Sequence, residues 1–519
     1  VTKLSPSSWG FQFYKVLDIL IESLNHYHNT NYDKKYWKIL VTPWLINFLK
    51  VIYDKWINFT KIRDTYKVAK IFANKDNKDL YLKNIAINSS DFAFQDKNIS
   101  WRIFIDEIIA SNVFKNIDFL RVELKKNEVK KNKKIKAKSS FYFGLKNKYF
   151  FLYHDLNFVL KNLLNIVFLQ FPNNGNLELV NQNNYSFDLR KNFEILDKSL
   201  EKDEFLNFFL KEIKFHIPCS LIENYKENKD LVQNSTWPSK PKIIVSSRGM
   251  WFKDKFSFYY AEKFRLHSSK LHYFQHGAEY GSSKFFLKEK LEIEMCDKFY
   301  SWGWKKENKI IPFGTVKKNI LIKKPKINKN LMLVTRLGKH TFNFHHGHFY
   351  DGSWINYHAS NLKFIRHLIK KNYKDNIIVR FKKTDDSLNE IKIYNKFKNV
   401  MIDKGYEDIQ IYKKKYFFIF TYNSSLFLEY LSQNIPCMCL IDNSYKFNEL
   451  GEYHYSILKK LDIVCESPEE LAEKYLFNTE NFDKWWNKKE NFDLRQNFCK
   501  TFAKNQKKKL LEIKKNLDK

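Results

Sequence analysis

A short apolar run, FFIF, leads directly into TYNSSLFLEYLSQNIP at residues 421–436. Asn423, Ser424 and Ser425 carry side chains that cap a helix by accepting its first amides, and the amides of a helix start favour phosphate. Ser425 and Glu429 are four residues apart and share one helix face. A hydroxyl and amides suited to phosphate therefore stand one turn before a carboxylate suited to ribose hydroxyls. The second candidate is FQHGAEYG at residues 274–281. His276 can take or give a proton near neutral pH, Gly277 and Gly281 let the backbone turn tightly beside a ligand, and Gln275 and Ser247 complete the candidate substrate loops. Asp254, shortly after SSRG at residues 246–249, offers a nucleophilic or acid–base carboxylate, with Glu294 and Asp297 close in sequence. Arg336 and Arg380 each end a predicted strand, where a planar guanidinium fork suits carboxylate or phosphate. The plainer readings are an ordinary N-cap with a solvent-facing Glu, a histidine packed beside glycine, and surface carboxylates. His340, His345, His346 and His348 match no established metal-ligand spacing, so no metal is expected.

The elements that must hold these residues follow from periodicity. Up to about Ile62, apolar residues at helical spacing predict two amphipathic helices, with His26 and His28 at a polar helix end between them. Residues 125–138 reduce mostly to Lys and Asn and read as a solvated loop. From Trp237 the pattern changes to strand 242–247, helix 256–265, strand 270–275 and strand 297–302. A basic, Pro-containing stretch at 317–329 reads as a linker. Beyond it come strands 331–335, 377–380, 409–412, 416–421, 437–441 and 463–465, interleaved with helices 361–371, 425–433 and 468–475. This alternation implies parallel α/β sheets with right-handed crossovers. The expected architecture is α/β, two Rossmann-like doubly wound domains with a helical N-terminal extension. Residues 1–316 form a first domain including that extension, 317–329 the linker, 330–480 a second domain, and 481–519 C-terminal helices that pack back on the first domain. Ligands of such sheets bind at strand C-terminal ends.

Composition narrows the function class. The 519 residues are roughly three times a typical domain of ~150. Hydrophobic residues at 44% and aromatic ones at 17% exclude a disordered chain. The formal charge of +34 is carried almost wholly by lysine, and Lys, Asn, Ile, Phe and Tyr together are what A/T-rich codons supply. A nucleic-acid reader uses more arginine, so no nucleic-acid partner is expected. Residues 1–10 show no secretory pattern, and the uncharged runs at 39–49 and 162–177 are too short or too broken to span a membrane. Six cysteines without a C-x-x-C pair fit a reducing cytoplasm.

Together with LNHYHNTNYDKKYWKILVTPWL (24–45), WPSKPKIIVSS (237–247) and SWGW (301–304), the two motifs above make the chain resemble a family of bacterial transferases encoded among surface-polysaccharide and lipopolysaccharide genes. Ala278 stands where that family usually has a second Gly after His-Gly. The resemblance implies a GT-B-type glycosyltransferase, distantly similar to enzymes that move 3-deoxy-manno-octulosonic acid (Kdo) or related acidic sugars from CMP-linked donors. It implies that residues 330–480 are a nucleotide-donor domain in which Ser424, Ser425 and Glu429 hold the nucleotide, that residues 1–316 are the acceptor-side domain, and that His276 and Asp254 work on the transferring sugar; Arg336 and Arg380, singled out above as strand-end forks, are assigned to the same donor site. The implied partners are a nucleotide-sugar donor and a glycan or lipid-linked acceptor; no cofactor is called for. The lysine surplus suits peripheral contact with the anionic inner face of the plasma membrane. The alternatives are a CDP-glycerol or CDP-ribitol type phosphotransferase, and a non-catalytic polyanion-binding or scaffold protein.

Overall fold

The computed structural model describes residues 6–74, 99–114, 117–122, 148–156, 158–170, 177, 179–180, 184–196, 203–316, 320–327, 330–335, 353–381 and 391–518. The chain divides into two compact units. Among the described residues the first takes those up to 154 and 162–271, and the second takes 155–161, 272–335 and 353–518.

The first unit opens on the helices Pro6–Tyr27 and Lys34–Thr65. Strands β1 (Lys70–Asn74) and β2 (Asp118–Val122) pair in parallel, with helix Ile99–Val113 between them in sequence. Strands β3 (Tyr149–Phe151) and β4 (Ile243–Ser246) also pair in parallel. Helix Asp254–His267 follows β4. The motif at 24–45 is a folding device. Asn25 Oδ1 accepts from the Thr30 hydroxyl, the Tyr32 amide and Trp37 Nε1, which fixes the turn between the two long helices. Tyr36 donates to the buried carboxylate of Glu262 at 2.7 Å and meets the Tyr225 hydroxyl at 2.8 Å.

His28 lies within that device. Its Nε2 contacts the Leu221 carbonyl at 2.8 Å, and its ring packs against Trp37 and Tyr225. Burial, reinforced by the charges of Lys226 and Lys229, pushes its pKa from 6.5 down to about 4. Below pH 6.5 the unfolded chain takes up a proton that the folded site refuses, so stability is complete above 6.5 and falls as pH drops toward 4. This one group is expected to remove about 2 kcal/mol between pH 7 and pH 5. Urea titrations of wild type and His28→Gln at both values check it; an equal loss in the variant assigns the acid sensitivity elsewhere.

In the second unit, residues 272–274 of β5 (Lys270–Phe274), β6 (Lys298–Ser301) and β7 (Ile310–Pro312) are parallel neighbours, and helix Leu287–Met295 connects the first two. A six-stranded sheet is built from β8 (Leu331–Val334), β9 (Ile377–Arg380), β10 (Val400–Asp403), β11 (Phe417–Phe420), β12 (Cys437–Leu440) and β13 (Val464–Cys465). Its order is β10-β9-β8-β11-β12-β13, and its pairings are parallel. Counted from β8 this is 3-2-1-4-5-6, the doubly wound Rossmann order, whose switch point lies between β8 and β11.

One predicted strand is corrected: Ile409–Tyr412 is a 3₁₀ turn. The Asp408 carboxylate caps it through the Gln410 amide at 3.0 Å, and none of its residues is buried, so the apolar alternation there has no sheet to join. The third strand is instead β10. The predicted loop at 125–138 lies outside the described residues.

The C-terminal segment contacts residues 298–316: the Lys504 amide, between the last two helices, donates to the Trp302 carbonyl, and Lys298 Nζ donates to Asn516 O in the last helix. Among the described residues no helix is long and apolar enough to cross a membrane.

Candidate functional site

The switch point has a polar floor. Thr335 follows β8 and Thr421 follows β11; Tyr357 OH meets the Thr335 hydroxyl at 2.7 Å and the Thr421 hydroxyl at 2.5 Å. Asn361 Nδ2 donates to Thr335 Oγ1 at 2.9 Å, while Asn361 Oδ1 is buried with no hydrogen-bond partner among the described residues. Sequence reading missed these four residues. Their signal was the threonine that ends each of the two central strands.

Immediately beyond Thr421, FFIF gives way to helix Ser425–Ser432. Ser424 is the N-cap, and its Oγ accepts from the Phe427 amide at 3.1 Å. This leaves the amides of Ser425 and Leu426 without an intrahelical acceptor, as at every helix start. Glu429 lies one turn on and is buried, 3% exposed. Asn423 is held by Tyr455, whose hydroxyl donates to Asn423 Oδ1 at 2.9 Å. Arg380, at the end of β9, has its fork engaged locally, by Asp403 and by the Glu407 carbonyl at 2.5 Å, and its guanidinium lies over the Tyr412 ring. Arg336 and the four histidines at 340–348 lie outside the described residues.

The loop that bears His276 belongs to the same unit. Gln275, 1% exposed, is clamped by the SWGW motif: its Oε1 accepts from the Trp302 amide at 2.8 Å and Trp304 Nε1 at 2.9 Å, and its Nε2 donates to Gly277 O at 2.7 Å. Gly281 has φ +74°, and a Cβ there would stand 2.5 Å from the Trp304 ring; its amide donates to Glu289 Oε2 at 2.6 Å. Gly277 does not use the left-handed region. Within SWGW, Gly303 has φ +143°, and a Cβ would stand 2.2 Å from Lys500 O.

Beyond Gly281 the loop docks on residues 445–451. Asn448 Nδ2 donates to Gly281 O at 2.9 Å and to Ser283 O at 3.3 Å, and Ser283 bridges Phe447. Tyr445 lies against Ser282, Ser283 and Asn423; burial and the Glu279 charge hold its hydroxyl well above the ordinary value. Thus the His276 loop and the Asn423–Ser424 helix start converge on one pair of tyrosines, Tyr445 and Tyr455.

His276 is half-buried. Lys288 Nζ stands 3.2 Å from its Nε2, and Tyr280 OH lies 3.3–3.4 Å from its two ring nitrogens while donating to Glu292 Oε2 at 2.7 Å. Burial pushes the Glu289 carboxyl up, against Lys306 and the Gly281 amide, which lower it.

Asp254 and Ser247 belong to the first unit. Asp254 is buried at the first position of its helix, where a carboxylate suits the positive end of the helix dipole. The Ser247 hydroxyl donates to Tyr153 O at 3.4 Å. Among the described residues no group of three His, Cys, Asp or Glu side chains is placed to hold a metal ion.

A doubly wound parallel sheet, with polar groups gathered at its switch point and at an adjoining helix start, defines the class of protein. Residues 11–517 match the model of the LIC12162 family transferases, and the chain belongs to that family. No curated protein matches it. Among solved structures, the S. aureus MnaA–UDP co-structure is 13% identical, covering 56% of this chain and 78% of that one, TM-score 0.34. Acinetobacter baumannii MurG is 10% identical, covering 54% and 74%, TM-score 0.32. The wall teichoic acid polymerase TagF is 13% identical, covering 57% and 84%, TM-score 0.30.

Proposed function

We propose that this transferase moves a sugar from a nucleotide-activated donor onto a cell-surface glycan or lipid-linked acceptor. The observation that carries the reading is the switch point between β8 and β11. Thr335, Tyr357, Asn361 and Thr421 make a buried polar floor there, and the open amides of the Ser425 helix start adjoin it. In a doubly wound sheet this is where nucleotides bind, and the helix start neutralises the departing phosphate without a metal.

In this reading residues 330–480 bind the donor through Ser424, Ser425, Glu429 and Arg336. Arg380 contributes through the Asp403 pair rather than as an open fork. His276, with Gln275, Gly277 and Gly281 shaping its loop, acts on the transferring sugar; Asp254 is assigned the role of an acid–base carboxylate and Ser247 a place in a substrate loop. The finer donor assignment is a CMP-linked acidic sugar of the Kdo type. The site of action is the cytoplasmic face of the membrane, reached by lysine attraction to anionic lipid.

Thermal unfolding with CMP, CDP, UDP and GDP tests the nucleotide class, because a ligand at 100 times its Kd adds about 2.7 kcal/mol. Stabilisation by CMP, followed by turnover of a CMP-linked sugar, is expected. Turnover of CDP-glycerol or CDP-ribitol instead identifies a phosphotransferase, and a flat response to all four nucleotides removes the donor site.

A further inference from the structure

Lys288 occupies a place that lysine ordinarily avoids. It is the second residue of helix Leu287–Met295, in the turn where the helix dipole is unfavourable to a cation, and it is only 4% exposed. A lysine held there requires acceptors close by, because burial penalises its charge. One is His276 Nε2 at 3.2 Å. Glu292, one turn along the same helix face, is fully buried and accepts from Tyr280 OH at 2.7 Å.

We infer that Lys288 is the positioning residue for His276: its ammonium donates to Nε2 and thereby fixes the imidazole as the neutral tautomer with the proton on Nδ1. An ammonium has three donors and no acceptor, so the nitrogen facing it must present a lone pair. The other nitrogen then carries N–H, and Tyr280, whose own proton goes to Glu292, turns its oxygen lone pairs toward the ring. Nδ1, 3.4 Å from that oxygen, is therefore the donor nitrogen of the ring. His276 acts on an oxygen that gains negative charge during transfer, and not as a general base through Nε2.

The groups around the ring on this unit are consistent with that state. Tyr273 sits at its edge with centroids 6.4 Å apart, and Tyr280 is flanked by Phe286 and Phe299. Glu289 is committed to Lys306 and the Gly281 amide, and Glu292 is joined to the ring through Tyr280.

The inference deepens the role proposed for His276, and its test does not depend on that role. In full-length protein labelled with ¹⁵N-histidine, the His276 signals are identified by their loss in His276→Gln. Wild type is expected to show a protonated Nδ1 and an acceptor-type Nε2. In Lys288→Met the imidazole is expected to protonate about one unit higher, because a like charge has been removed, and Lys288→Arg is expected to restore the wild-type titration. A protonated Nε2 in wild type, or an unchanged titration in a folded Lys288→Met, overturns the inference. Should Lys288→Met fail to fold, the wild-type tautomer alone decides. Once a donor is known, the acid limb of kcat/KM should move with the NMR titration. A correct tautomer in a protein that transfers nothing overturns the functional reading and leaves this one standing.

Discussion

Replacement of His276 by alanine is expected to lower kcat/KM about 10²–10³-fold, the usual effect of removing a single proton-handling or oxyanion-stabilising group. The loss should appear in kcat with KM for the donor little changed, because the proposed donor site lies elsewhere, at the Ser424–Ser425 helix start. The variant also leaves the Lys288 ammonium buried without its imidazole acceptor, which costs about 1–3 kcal/mol of stability. Rates should therefore be compared well below the melting point, with circular dichroism as a control for folding. Full turnover in a folded His276→Ala protein excludes this side chain from the reaction and leaves Gln275, Gly277 and Gly281 as parts of a purely structural loop.

The largest stability effect is expected far from the motifs, at Glu223. Its carboxylate takes both arms of the Arg190 fork, Nε to Oε1 at 2.7 Å and Nη2 to Oε2 at 2.8 Å, with the two side chains only 0% and 3% exposed. Arg190 Nη1 also ties the Ile217 carbonyl at 2.7 Å, and its guanidinium lies 4.3 Å from the Tyr185 ring centre. Glu223→Ala strands a buried guanidinium and should destabilise the first unit by about 3–5 kcal/mol. The double change Arg190→Met with Glu223→Leu should recover most of that, since apolar side chains carry no desolvation penalty. Chemical unfolding and amide exchange of the helices Phe187–Lys191 and Glu204–Ile213 provide the measurement. A loss below about 1 kcal/mol in Glu223→Ala means that the pair is solvated in solution.

The parts of the fold legible in the sequence are those whose information is local. Strands such as Ile377–Arg380 and Phe417–Phe420 are buried on both faces and read as the apolar runs IIV and FFIF. The start of helix Ser425–Ser432 was marked by Ser424, which caps it. Among the strands that went unseen, Tyr149–Phe151 and Ile310–Pro312 have three residues each and are too short to show any period, while Lys70–Asn74, Asp118–Val122 and Val400–Asp403 have few buried residues to impose one. At Ile409–Tyr412 an alternating pattern misled, because the Asp408 cap decided the backbone.

The candidate site divides along the same line. Residue type and position relative to a predicted strand end were enough to single out His276, Ser424 and Ser425, because glycine freedom, caps and strand termini act over a few residues. Three-dimensional packing alone placed Thr335 beside Thr421, residues that are 86 positions apart, and brought Lys288 against His276. It also showed SWGW to be the clamp on Gln275 and the His28 motif to be a hydrogen-bonded turn between two helices. Sheet order and side-chain convergence are long-range outcomes of burying apolar surface and satisfying buried polar groups, and no local pattern of residues encodes which distant partner will satisfy them.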